Sequence, residues 1–137
     1  MPLLGNDTDG AISRKRLETW AAKEEKTTVV AASNEDTTQV AATLAGAKKV
    51  VYTMTPSTTR LLTTPTGAQL GAAFGDEVVG TSFEFSVVNL AASSHAITLT
   101  AGASGVTLVG SASIAHASSA SFVGVFTAAN TVSIYRV

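Results

Sequence analysis

The sequence predicts an all-β domain, an antiparallel β-sandwich of jelly-roll type, preceded by an N-terminal arm with one short helix. Three observations lead there. From Glu77 onward, short segments of alternating apolar residues recur about every ten residues, separated by Gly, Ser or Ala-Asn, as in sandwiches and barrels. From Phe85 to Tyr135, 51 residues pass without a single Asp, Glu, Lys or Arg. Residues 12–26, by contrast, are good helix formers and densely charged. The chain of 137 residues is one domain's worth or one domain plus an arm, and we divide it into an attachment segment, 1–26, and an oligomerisation domain, 27–137.

Residues 1–11 contain Pro2, Gly5, Asn6, Asp7, Asp9 and Gly10, which favour turns over regular structure, so they read as an extended arm. Over 12–26, Ile12, Leu17, Trp20 and Ala21 form a thin apolar stripe, and Arg14 stands four residues before Glu18. A helix this short is marginal alone and needs a surface to lie on. After Lys26 the period changes to that of strands: 27–31 and 37–44 are Thr-rich, and 48–55 places Val50, Tyr52 and Met54 on one face. Pro56 ends that strand, and Pro65 limits the next. The GAQLGAAFG stretch at 67–75 reads as a loop with close backbone approach. Strand character is strongest from Glu77 to Leu90, and segments at 96–100, 105–109, 111–115, 120–127 and 131–137 complete the series.

Charged residues make up only 14% of the chain against the roughly 25% of an ordinary globular protein, so Ser, Thr and Gly must build much of the surface. A net charge of −1 gives no general attraction to nucleic acid or anionic membranes, and neither is expected as a partner. There is no cysteine, hence no disulfide or thiolate chemistry. The first ten residues lack the apolar core of a secretory signal, and no apolar run approaches the 18 or so residues of a membrane span. Charged side chains normally keep strand edges from pairing with other molecules. A half without them calls for cover by a homo-oligomer or a larger assembly.

Catalytic, metal and cofactor signatures are missing, and we expect no enzyme. Glu77 and Glu84 face opposite ways on one strand, whereas Asp76 and Glu84 share a face but stand roughly 27 Å apart, too far for a carboxylate pair. His95 and His116 sit among serines in turn-like stretches, and no G-x-S-x-G elbow accompanies them. Two histidines without a nearby carboxylate cannot close a metal site in one chain. Neither a P-loop nor a dinucleotide fingerprint is present.

The succession FEFSVVNL, AITLTAGASGVTLVG, SASFVGVF and SIYRV, covering roughly residues 80–137, resembles the strand-rich C-terminal domains of small structural proteins of tailed bacteriophages, notably capsid decoration (cement) proteins and head or tail fibre knobs. The resemblance implies a virion component without enzymatic activity, commonly a homotrimer. In the decoration reading it would bind the major capsid protein on the outer surface of the assembled capsid and stabilise the shell. The alternative is a fibre knob that binds a receptor or glycan, although Trp20 is the only tryptophan and lies outside the β-half. For attachment we expect Leu3, Leu4, Ile12, Arg14, Arg16 and Trp20, since Trp and Arg dominate interfaces and this segment is too small to bury them in a core of its own. For the contact between copies we expect Phe83, Phe85, Val106, Leu108, Phe122 and Phe126.

Overall fold

The computed structural model describes Glu18, Ala21, Ala22 and residues 24–137. Glu18, Ala21, Ala22, Glu24 and Glu25 are helical, in keeping with a helix in 12–26, and the rest of that segment up to Lys23 lies outside the described residues. Ten strands follow: β1 (Thr27–Ala31), β2 (Thr37–Thr38), β3 (Lys49–Met54), β4 (Arg60–Thr63), β5 (Ser82–Asn89), β6 (Ile97–Thr100), β7 (Val106–Val109), β8 (Ser113–Ile114), β9 (Ser118–Ala128) and β10 (Thr131–Arg136). Two short helices interrupt them, α1 (Ala41–Ala45) and α2 (Gly67–Phe74).

The strands form two sheets, a large one in the order β1-β3-β5-β9-β10-β7 and a small one in the order β2-β4-β6-β8. The architecture is mostly sheet, but it is not the antiparallel jelly roll expected. In the large sheet β1 pairs with β3, β3 with β5 and β10 with β7 in parallel, and only β9 runs against its neighbours. In the small sheet β2, β4 and β6 are parallel as well. The reason is connectivity. From β1 to β6 each strand of one sheet leads to a strand of the other, so the chain winds between the layers and successive turns stack in parallel; a single tight hairpin, β9–β10, closes through Ala129 and Asn130.

Both helices replace other expectations. Residues 37–44 read as a strand, yet β2 ends at Thr38 and the alanine-rich AATLA turns helical, burying Leu44. Residues 67–75 read as a loop, yet Thr66 and Gln69 form a reciprocal cap: the Gln69 N–H donates to Thr66 Oγ1 at 3.2 Å and the Thr66 N–H to Gln69 Oε1 at 2.9 Å. The close approach read from these glycines is real, but inside a helix. A Cβ on Gly67 would lie 2.8 Å from the Gly105 carbonyl oxygen.

One face of the large sheet supplies the core. Val50, Tyr52, Met54, Phe83, Phe85, Val87, Phe122, Phe126, Val132 and Ile134 point inward and meet Leu62, Ile97, Leu99 and Ile114 of the small sheet and Leu44 and Leu70 of the helices. Aromatic rings line its middle, with Phe85 stacked on Phe122 at 5.1 Å and Phe74 against Phe83 at 5.3 Å.

Candidate interaction surface

The other face of the large sheet carries Thr27, Val29 and Ala31 of β1, Lys49, Val51 and Thr53 of β3, Ser82, Glu84, Ser86 and Val88 of β5, then Ser119, Ser121, Val123 and Val125 of β9, Ser133 and Tyr135 of β10, and Thr107 and Val109 of β7. Only Lys49 and Glu84 are charged, and they are register neighbours. Ser86 and Ser121 satisfy each other through a 2.8 Å hydrogen bond in the middle of the face. Toward the sides the face turns apolar: Val29 is 65% exposed on β1, and Val109 and Tyr135, paired in register, are 45% and 40% exposed next to β7's edge.

Only the second set of expected contact residues falls within the described residues. Leu3, Leu4, Ile12, Arg14, Arg16 and Trp20 lie outside the described residues. Phe83, Phe85, Phe122 and Phe126 are buried in the chain's own core, and Val106 and Leu108, half-buried, pack against that core from its edge. For Phe83, Phe85, Phe122 and Phe126 this corrects the expected contact between copies: their side chains face the small sheet and helices and are not offered to a second molecule, whereas Val106 and Leu108 stand on the edge strand β7. The alternation in the sequence separates the two faces, but it does not say which of them turns inward, and the expected contact residues name the inner one.

What the sequence reading missed are the two edges of the large sheet. In β1 the even residues bond to β3, as seen where Lys49 N–H donates to Lys26 O and Ala32 N–H to Thr53 O, so the N–H and C=O groups of Thr27, Val29 and Ala31 point off the free side. In β7 the odd residues bond to β10, as seen where Val132 N–H donates to Gly105 O, so those of Val106 and Leu108 point off the opposite side. Among the described residues none of these groups has a partner strand. Neither strand contains a charge, a proline or a bulge, the usual guards of an edge. The charge-free, proline-free composition of both segments was the available signal.

Asn89 is buried and fully used: Nδ2 donates to the carbonyls of His95 at 2.8 Å and Ile114 at 3.0 Å, while Oδ1 accepts from Ala91 N–H at 3.0 Å. His116 lies in a turn, as the sequence placed it, and His95 in the loop that leads into β6; no group of three His, Cys, Asp or Glu side chains among the described residues could hold a metal ion. Burial pushes the Tyr52 phenol up to about 12, and its hydroxyl has no hydrogen-bond partner. Where the helical residues meet the sheet, Glu24, Lys48, Glu84, Phe74 and Phe83 line a cleft of about 280 Å³, and Val88, Leu90 and Ser119 line a more open one of about 420 Å³. No helix among the described residues is long and apolar enough to cross a membrane. No family model, curated protein or solved structure matches the chain.

Proposed function

We propose that this chain is a structural protein of a phage virion, a capsid decoration protein that associates with itself, as a homotrimer, and binds the major capsid protein on the outer surface of the assembled shell. The observation that carries the reading is the outer face of the large sheet. Mainly parallel sheets are found with both faces covered. Here the small sheet, α1 and α2 cover one face, and the other presents Val, Ser, Thr and Tyr around a single Lys49–Glu84 neighbour pair, open toward its sides and with Ser86 buried at its middle. Such a surface belongs to an assembly. The resemblance of residues 80–137 to the domains of phage decoration proteins and fibre knobs suggests the kind of assembly.

The mechanism is mass action. A protein that binds the closed shell and not its dissociated parts stabilises the shell by RT ln(1 + [L]/Kd) per site, and linked attachment points lengthen its residence. Residues 1–26 are the attachment segment in this reading, joined to the β-domain at the start of β1.

Imaging tests the proposal. Full-length protein added to particles that lack it should appear as a regular lattice over the shell and raise the temperature at which the particles release DNA. Failure to bind, or binding at the tail alone, refutes it.

A further inference from the structure

We infer that copies of this chain join edge to edge, β1 of one copy pairing in parallel with β7 of the next, so that the large sheet runs continuously through the assembly. The inference rests on the reading that the chain associates with itself and adds the surface by which it does so.

The two edges are complementary in three respects. Their strands run in the same direction, because β1, β3, β5, β10 and β7 are all parallel and β9 alone is reversed. Their free backbone groups match. A parallel ladder pairs a residue pointing across the junction with one pointing away from it. The register Thr28 with Val106 and Val30 with Leu108 then lets Val106 N–H donate to Thr27 O, Val29 N–H to Val106 O, Leu108 N–H to Val29 O and Ala31 N–H to Leu108 O. Every group that points off the middle of either edge is used. Their faces match as well: Thr28 and Val30 are on the core side like Val106 and Leu108, while Val29 and Thr107 come together on the outer side.

Pairing of β1 with a second β1 would leave the β7 edge of both copies open. Head-to-tail pairing closes both edges on every copy once the ring closes, which removes the hazard an unguarded edge presents. No charge on either strand opposes it.

Charge placement on the exposed side chains of Val29 and Thr107 separates the alternatives without touching the core. Analytical ultracentrifugation across a micromolar concentration series reads the result, and circular dichroism confirms the fold of each variant. The doubly substituted chain Val29→Lys/Thr107→Lys sets like charges opposite each other at each junction and should associate about tenfold more weakly or worse. The chain Val29→Lys/Thr107→Glu sets opposite charges there and should associate at least as tightly as the natural protein. If the Lys/Glu chain weakens as much as the Lys/Lys chain, the junction joins like edges, β1 with β1 or β7 with β7, and the inference fails. If neither substitution changes association, the copies meet elsewhere and the inference fails while self-association stands. A natural chain that stays at 13.9 kDa throughout the series overturns self-association itself.

Discussion

Gly124 and Phe83 stand directly opposite each other on β9 and β5, both facing the core, and the ring of one occupies the space a side chain on the other would need. A Cβ on Gly124 would lie 2.5 Å from Phe83 Cε1 and 2.7 Å from Cε2, more than half an ångström inside ordinary contact. Phe74 lies against the ring at 5.3 Å and Phe85 at 6.4 Å, so any withdrawal must go toward the cleft that Phe83 lines and at the expense of those contacts. Gly124→Ala therefore overpacks the centre of the large sheet. Overpacking costs about 1–3 kcal/mol, and the loss of glycine's freedom in the unfolded chain returns less than about 1 kcal/mol, so the net is about 2 kcal/mol destabilising. Phe83→Ala leaves a cavity and costs about 4 kcal/mol. In the double variant the new methyl enters that cavity, and the total should be near 4 kcal/mol where additivity demands about 6. Urea unfolding followed by circular dichroism at one fixed protein concentration measures all three variants, and about 2 kcal/mol corresponds to a midpoint shift of roughly 1 M. Losses that add to within about 0.5 kcal/mol would show that the ring does not cover Gly124 and refute the packing described.

Three further outcomes follow from buried polar groups. Tyr52, raised from 10.0 to about 12, is held neutral by the fold, so its contribution is complete below pH 10 and is lost as pH rises toward 12, where the unfolded chain sheds the proton more readily; Tyr52→Phe should flatten the alkaline fall in stability with little change at neutral pH, and an unchanged fall rules the residue out. Asn89→Asp replaces the donor to His95 O and Ile114 O by an oxygen, so thermal unfolding should find it less stable than Asn89→Ala at pH 7 and partly recovered near pH 4, where the carboxyl can donate; equal losses at both pH values would contradict the assigned bonds. Gln39 is buried with neither amide atom partnered, so Gln39→Met should stabilise by about 1 kcal/mol in urea, and a loss of that size would mean the amide is satisfied.

Alternation separated the two faces of β3 and β5, because a half-buried strand writes its faces directly into the sequence, but it did not say which face is the core: Phe83 and Phe85, expected at the contact between copies, lie inside. It could not tell which strands pair. Thr27 pairs with Lys49, 22 residues on, but Lys49 pairs with Glu84, 35 residues on, since the second turn of the winding also accommodates α2 and the segment 75–81. Unequal turns leave no period to detect, and evenly spaced short strands then read as hairpins. The helices were hidden for another reason. Ala41–Ala45 is too short for helical periodicity, and the Thr66–Gln69 cap adjoins glycines that ordinarily signal a loop. For the candidate surface the sequence supplied the missing charge and the need for cover, but the edges became identifiable only once β1 and β7 stood at opposite ends of one sheet.

The one charge beyond Phe85 reinforces the asymmetry. Arg136, at the end of β10, turns toward the small sheet, where Nη1 donates to the carbonyls of Ser111 at 3.2 Å and Ser113 at 2.7 Å and so ties the two layers together near β8. Its cation is engaged inside the fold and does not guard the outer face. The charges of the large sheet's outer face, Lys49 and Glu84, are confined to β3 and β5, and the β9-β10-β7 side is neutral on that face. A sheet built this way has one side to which charge has access and one to which it does not. In a head-to-tail junction the neutral side of one copy meets the β1 strand of the next, so the Lys49–Glu84 neighbours of successive copies are held several strands apart. Pairing of like sides would instead bring two neutral sides together and leave the β1 edges exposed. The distribution of charge along the sequence thus leaves both edges free for the junction that the directions of the strands allow.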